Sequence, residues 1–219
     1  MYRIGIVDDE KDERDDIQVS ILDNAGCILD KPEIEFKEYE LEGRERESIL
    51  QEIQNDIDEK NIQALIVDFR LDTTADVIKG WQIIEFMHDE IPEFPVIIMT
   101  NAPEESKQSE HTDADKVYPK KIFLNPELEE TKELVINIIL NMQKYVARRD
   151  SLEEKLAIEL QKLDKNSEDE KTLEQIMEIE TELGRYKQLY QTTVDTSLDM
   201  DELKDVFQQL KKYEELLGD

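Results

Sequence analysis

The chain has one cysteine and few basic residues. Cys27 has no second cysteine to pair with, which excludes an intrachain disulfide and a cysteine-based zinc cluster and fits a reducing cytosol. Lys and Arg number 27 against 56 Asp and Glu, giving a net charge of −29. This balance argues against nucleic acid or an anionic membrane surface as partner, since both bind proteins through basic residues. No apolar run approaches the ~20 residues of a membrane span, and no signal-like segment opens the chain. We therefore expect a cytoplasmic protein.

Proline and glycine are concentrated in the first part of the chain. All six prolines lie between Pro32 and Pro126, and after Pro126 only Gly184 and Gly218 interrupt the sequence. Frequent breakers indicate many turns, and their absence favours long helices. We predict one domain over residues 1–140 and a helical, coiled-coil-like interaction region over 141–219, which continues from the last helix of the first domain.

Five short strand-like runs alternate with helical patterns in the first part. They are Arg3–Val7, Glu33–Tyr39, Ala64–Val67, Val96–Met99 and Val117–Tyr118. Apolar runs separated by helices predict an α/β fold with a parallel sheet covered on both faces. The second run alternates apolar and polar residues and is expected at an edge. The fourth connection, residues 101–116, has little apolar surface to bury, so we expect its helix to be short.

Three helices are predicted after the sheet. The first begins at Pro126 and continues to Leu163. The second opens with a capping pattern, Ser167 to Glu170, and carries an apolar stripe as far as Tyr190. The third covers roughly 199–217. Because each stripe buries little alone, we expect a helical hairpin, a three-helix unit or packing against a second chain.

Polar residues stand where the central strands end. Asp8 and Asp9 follow the first strand, Asp68 the third, Thr100 the fourth and Lys120 the fifth. The carboxyl ends of parallel strands meet at one edge of such a sheet, which is where ligands bind. Clustered carboxylates require a cation, and Mg²⁺ prefers oxygen ligands. One carboxylate could then act as nucleophile toward a phosphoryl group, with a lysine and a hydroxyl contacting its oxygens.

The same motifs resemble the receiver domain of two-component response regulators. They are VDDE at 7–10, LIVDFRL at 65–71 followed by Gly80, VIIMT at 96–100 and YPKK at 118–121. The resemblance covers about residues 1–140 and implies a flavodoxin-like, doubly wound sheet of five strands in the order 2-1-3-4-5. It also implies roles for single residues. Asp68 is the expected phosphoacceptor, with Thr100 as the switch hydroxyl and Lys120 as the conserved lysine; the expected Mg²⁺ ligands are Asp8, Asp9, Asp68 and the main-chain carbonyl of Arg70.

The chain departs from the family pattern near the fifth strand. Lys121 stands where the family has proline, so it is an alternative to Lys120 as the site lysine. The family's switch aromatic corresponds to Val117, while Tyr118 lies one position later. Asn101, after Thr100, is larger than the small residue usual there.

The resemblance implies a phosphoacceptor rather than an enzyme, one that catalyses at most its own phosphorylation and dephosphorylation. The expected donor is a histidine kinase or histidine phosphotransfer protein. From Asp150 onward the chain has 20 acidic and 9 basic residues, so DNA binding is disfavoured as the output. We expect residues 141–219 to contact a protein effector or a second copy of the chain. The alternatives are a scaffold that does not depend on phosphorylation and a phosphoryl sink without output.

Overall fold

The computed structural model describes residues 1–28, 33–71, 78–101, 103–107, 116–123, 125–165 and 170–189. Five strands and six α-helices follow one another along these ranges. In chain order they are β1 (Tyr2–Val7), α1 (Lys11–Ala25), β2 (Ile34–Glu38), α2 (Arg46–Asp58), β3 (Ala64–Asp68), α3 (Gly80–Glu90), β4 (Val96–Thr100), α4 (Pro103–Lys107), β5 (Val117–Pro119), α5 (Glu129–Lys165) and α6 (Glu170–Leu183). A 3₁₀ turn, Lys120–Ile122, follows β5 directly. No helix in these ranges has an apolar stretch long enough to cross a bilayer.

All five strands are parallel and stand in the order β2-β1-β3-β4-β5. The predicted α/β class and strand order are confirmed, and β2 lies at an edge as its alternating sequence indicates. In the register, Val7 pairs with Val67, Asp68 with Met99 and Thr100 with Pro119. The carboxyl ends of β1, β3, β4 and β5 therefore lie side by side.

Alternate residues of the strands form two cores, one on each face of the sheet. Ile4 and Ile66 face α1 and α5, where Ile21 and Ile138 pack on them. The strand residues that alternate with these, such as Val67, face α2 and α3. This period of two is the geometry of a pleated strand, and because both faces are covered, β1, β3 and β4 are almost continuously apolar; the exceptions are Arg3 and the polar residues that end β3 and β4. The short helix expected in the fourth connection is present as the five residues of α4; residues 108–115 lie outside the described ranges.

α5 and α6 form an antiparallel hairpin, as predicted. Arg148 forms an ion pair with Glu182, and the Tyr145 hydroxyl donates to the carbonyl of Tyr186 over 2.6 Å. From Tyr145 to Arg148 the contact advances along the chain, while its partner moves back from Tyr186 to Glu182, as expected for antiparallel segments. The ends of the first two predicted helices differ from the prediction, and the third predicted helix, roughly 199–217, lies outside the described residues. α6 ends at Leu183, before Gly184, and does not continue toward Tyr190; α5 begins at Glu129 and not at Pro126.

The end of the hairpin folds back on the sheet domain. After α6, the carbonyl of Arg185 accepts a hydrogen bond from the Glu93 amide over 3.1 Å. The Gln188 amide donates to Asp58 Oδ1 over 2.9 Å. Glu93 and Asp58 each lie shortly before a strand, so this contact is at the amino edge of the sheet, opposite the strand ends that carry the acidic residues. Residues 1–188 form one compact unit, and the domain division predicted at residue 140 stays a prediction.

Arg149 fixes α5 at that edge. Its guanidinium is 2 % exposed and donates to the carbonyls of Ile57 and Asp58, the second over 2.6 Å. Its Nε also donates to Glu153 over 3.2 Å. A planar fork of donors suits the carbonyls at the end of α2, which lack the partner that the next helical turn would supply. The buried arginine therefore caps one helix from the side of another.

Replacement of Arg149 by Met should lower the free energy of unfolding by about 2–4 kcal/mol, because buried carbonyls lose charged donors. The control is Arg148→Met, which removes a neighbouring arginine from an exposed pair with Glu182 and should have a much smaller effect. Urea unfolding of both variants measures the difference. Equal losses in the two variants would show that Arg149 does not anchor α5.

Candidate functional site

Three aspartates meet at the carboxyl ends of β1 and β3. One oxygen from each of Asp8, Asp9 and Asp68 lies within 4.8 Å of the other two. Asp8 is 2 % and Asp68 6 % exposed, whereas Asp9 is half-buried. The sheet thus brings together the three acidic side chains that the sequence predicts as a metal site.

Lys120 forms ion pairs with two of these aspartates. Its Nζ is 2.7 Å from Asp68 Oδ2 and 2.7 Å from Asp8 Oδ2. Lys120 is buried, while Lys121 is exposed. Because β5 ends at Pro119 and a 3₁₀ turn begins, the first of the two lysines points inward and reaches the carboxylates. The alternative lysine is not at the site.

Backbone amides hold two of the carboxylates in place. The Glu10 amide donates to Asp8 Oδ1 over 2.9 Å, and the Arg70 amide donates to Asp68 Oδ1 over 3.1 Å. Each aspartate therefore binds the turn that follows its own strand. Their Oδ2 atoms are left facing Lys120.

Gly80 brings α3 against the Asp68 backbone. A Cβ at this position would overlap the carbonyl oxygen of Asp68 and lie 2.9 Å from that of Phe69. Only glycine allows the first turn of α3 to approach so closely. The position of Asp68 thus depends on a residue that follows it by twelve positions.

Thr100 and Tyr118 have different environments near the site. Thr100 is fully buried at the end of β4. Val117 packs in the core on the α2 and α3 face, while half-buried Tyr118 packs on the α1 and α5 face. The aromatic side chain therefore lies on the opposite face of β5 from Val117, the residue at the family's aromatic position.

Glu13 is a site residue that the sequence analysis missed. From the first turns of α1 it forms an ion pair with Lys120, and its Oε1 accepts a hydrogen bond from Asn101 Nδ2 over 3.1 Å. Lys120 thus contacts three carboxylates. The available signal was the position of Glu13 one helical turn after Asp9, at the start of a helix that begins at the sheet edge.

Burial dominates the acid–base properties of the cluster. It raises the pKa of Asp68 to about 7, although Lys120 and the Arg70 amide favour the ionised form. Burial also raises the pKa of Asp8, which Lys120 offsets only in part. For Lys120, burial opposes the charge, but the contacts with Asp68, Asp8 and Glu13 outweigh it and raise the pKa. One ammonium is too little positive charge for this many carboxylates.

The donor set suits a hard divalent cation. Asp8 Oδ2 is buried, and its contact with Lys120 lacks the angular geometry of a hydrogen bond; no described residue donates one to it. The three grouped ligands are all carboxylates, which favour Mg²⁺-like ions over soft metals. The residues present therefore fit the metal that the sequence predicts.

Comparison with known proteins adds a fold-level likeness. No family model and no curated protein matches the chain. Among solved structures, it is similar to the crystal structure of a response regulator receiver domain from Rhodospirillum rubrum. The identity is 18 %, the match covers 66 % of this chain and 94 % of that one, and the TM-score is 0.39. The parallel sheet in the order 2-1-3-4-5 is that of a flavodoxin-like, doubly wound fold.

Substitution of Gly80 by Ala should destabilise the protein by at least about 2 kcal/mol, since the new methyl group must displace α3 from the Asp68 carbonyl. Gly26→Ala is the matched control: this glycine has right-handed helical angles and open space around its Cα, so the change should stay within about 1 kcal/mol of neutral. Urea unfolding provides the comparison. A neutral Gly80 variant would contradict the close approach.

The metal-free protein should lose stability as pH rises from about 4 to about 7. Folded Asp68 keeps its proton up to about pH 7, whereas the unfolded chain releases it near 3.8. The folded state therefore binds more protons in this window, and the free energy of unfolding falls as pH increases. Asp68→Asn should reduce this slope, measured by urea unfolding in chelator at several pH values. An unchanged slope would contradict the raised pKa.

Proposed function

We propose that the chain is a response regulator that accepts a phosphoryl group on Asp68 in a Mg²⁺-dependent reaction. The observation that carries the proposal is the contact of Asp68 Oδ2 with the buried Lys120 ammonium inside a cluster of further carboxylates. A buried carboxylate with a neighbouring ammonium and a metal-type ligand set can accept an electrophilic phosphorus atom.

The transfer we propose starts from a phosphohistidine of a histidine kinase or phosphotransfer protein. An oxygen of Asp68 forms a bond to phosphorus as the P–N bond of the donor breaks. The electron pair of that bond returns to the imidazole nitrogen, which then takes a proton from solvent. In this proposal Lys120, which follows β5, and the Thr100 hydroxyl, at the end of β4, contact the phosphoryl oxygens.

Asp8, Asp9 and Asp68 would hold Mg²⁺ together with the main-chain carbonyl of Arg70. When bound, the ion neutralises charge on the phosphoryl oxygens. Asp8 supports this assignment best, because its Oδ2 is buried next to Lys120 without a hydrogen bond from the described residues.

We propose that the output is a protein contact of the C-terminal helices, either with an effector or with a second copy of the chain. α5 begins nine residues after Lys120, so one helix leads from the site into this region. Ile158 and Leu160 near its end are about half exposed, although both are apolar. The acidic composition of the chain after Asp150 supports a protein partner over DNA.

Incubation with acetyl phosphate and Mg²⁺ should add one phosphoryl group to the full-length protein, detected by intact mass spectrometry. Chelation of Mg²⁺ and the substitution Asp68→Asn should each abolish the adduct. Asp23→Asn, an exposed position near the end of α1, is the control that should label like wild type.

Light scattering with and without beryllofluoride, a phosphoryl mimic, tests the output in the same protein. A change in solution mass, either of the chain alone or of the chain with its effector, is expected. No label on wild-type protein would overturn the proposal and favour a scaffold. Labelling at a residue other than Asp68 would refute the assignment of the phosphoacceptor.

A further inference from the structure

Glu13 joins two residues across the exposed side of the site. Its carboxylate contacts the Lys120 ammonium through one oxygen and the Asn101 amide through the other. Glu13 belongs to α1, Asn101 follows β4 and Lys120 follows β5. One side chain therefore connects three segments at the carboxyl edge of the sheet.

Glu13 is also the most accessible of the three carboxylates around Lys120. The exposed fraction of its side chain is 30 %, compared with 2 % for Asp8 and 7 % for Asp68. The Lys120 ammonium donates hydrogen bonds to Glu13 and Asp68 and also forms an ion pair with Asp8, so carboxylates already surround it. A further anion that approaches Lys120 meets the negative charge of these neighbours, and it is accommodated best where one of them moves away. The exposed carboxylate is the one that can leave for water.

We infer that Glu13 is a positioning residue that competes with the phosphoryl group for Lys120. This inference rests on the proposed function and adds a regulatory feature to it. In the unphosphorylated protein, Glu13 occupies Lys120 and holds Asn101. Phosphorylation of Asp68 adds negative charge beside Glu13, so the carboxylate is repelled while a phosphoryl oxygen replaces it at Nζ. Entry of the phosphoryl group thus releases α1 from the segments that follow β4 and β5.

Competition has an electrostatic signature that a structural role does not share. Removing the charge of Glu13 lowers the repulsion felt by an incoming anion, so the phosphoryl mimic binds more tightly. The same change makes the carboxylate cluster less negative, so the affinity for Mg²⁺ alone stays the same or falls. A variant that merely loosens the site would weaken the binding of both Mg²⁺ and the phosphoryl mimic.

The test compares Glu13→Gln with wild type in full-length protein. Gln keeps the shape of the side chain and its acceptor oxygen but removes the charge. With saturating Mg²⁺, the dissociation constant for beryllofluoride, from ¹⁹F NMR of the bound fluoride, should fall at least about fourfold. That factor corresponds to two unit charges about 5 Å apart in a water-like dielectric. The gain should shrink as salt is added.

Asp15→Asn is the matched control, because it makes the same charge change at an exposed position of α1. It should leave the beryllofluoride affinity as in wild type. Mg²⁺ alone, titrated by calorimetry, should bind to Glu13→Gln no more tightly than to wild type. Asn101→Ala keeps the charge of Glu13 and removes one hydrogen bond, so its gain in beryllofluoride affinity should be smaller than that of Glu13→Gln.

The outcomes separate the inference from the proposed function. If wild type binds beryllofluoride and Glu13→Gln binds it equally or more weakly, competition by Glu13 is wrong. If Asp15→Asn gains as much as Glu13→Gln, the effect belongs to net charge and the inference is also wrong. If neither wild type nor any variant binds beryllofluoride with Mg²⁺, the proposed function itself fails, and the inference fails with it.

Discussion

Four carboxylates and a single ammonium group share a small, largely buried volume at the ends of β1, β3 and β5. The sheet imposes this crowding, because parallel strands in register deliver their last residues to the same place. Burial makes the excess negative charge costly, as the raised pKa of Asp68 shows. Every other feature of the site follows from how this charge is compensated: the amides of Glu10 and Arg70, the threefold contacts of Lys120 and a ligand set suited to a divalent ion.

The sheet could be predicted because its signal is local. The apolar runs of β1, β3 and β4 cannot be exposed, and the residue that ends each run is read directly from the sequence. The identity of the site lysine required the structure, since Lys120 and Lys121 are chemically alike and only the turn after β5 separates them. Glu13 was missed for a related reason. Its partner lies 107 residues away, and among the many acidic residues of this chain nothing in its type distinguishes it.

The C-terminal hairpin also contains positions whose placement could not be predicted from the sequence. The long helix could be predicted from an uninterrupted apolar stripe. An arginine in such a helix reads as a surface residue, yet Arg149 is buried against the end of α2. The end of α6 at Leu183 also could not be read from the stripe, because Tyr186 continues the apolar spacing but packs on Tyr145 from a turn. Tertiary contacts decided these positions.

The length of α5 has a mechanical consequence. At 1.5 Å per residue its 37 residues span about 55 Å, and about 24 Å of this lies beyond Arg149. The helix thus extends about 30 Å along the sheet domain before Arg149 and about 24 Å beyond it, past the amino edge. A tilt of about 5° around Arg149 would move the far end of α5 by about 2 Å. A displacement too small to disturb the core would thus change a surface to which another molecule could bind.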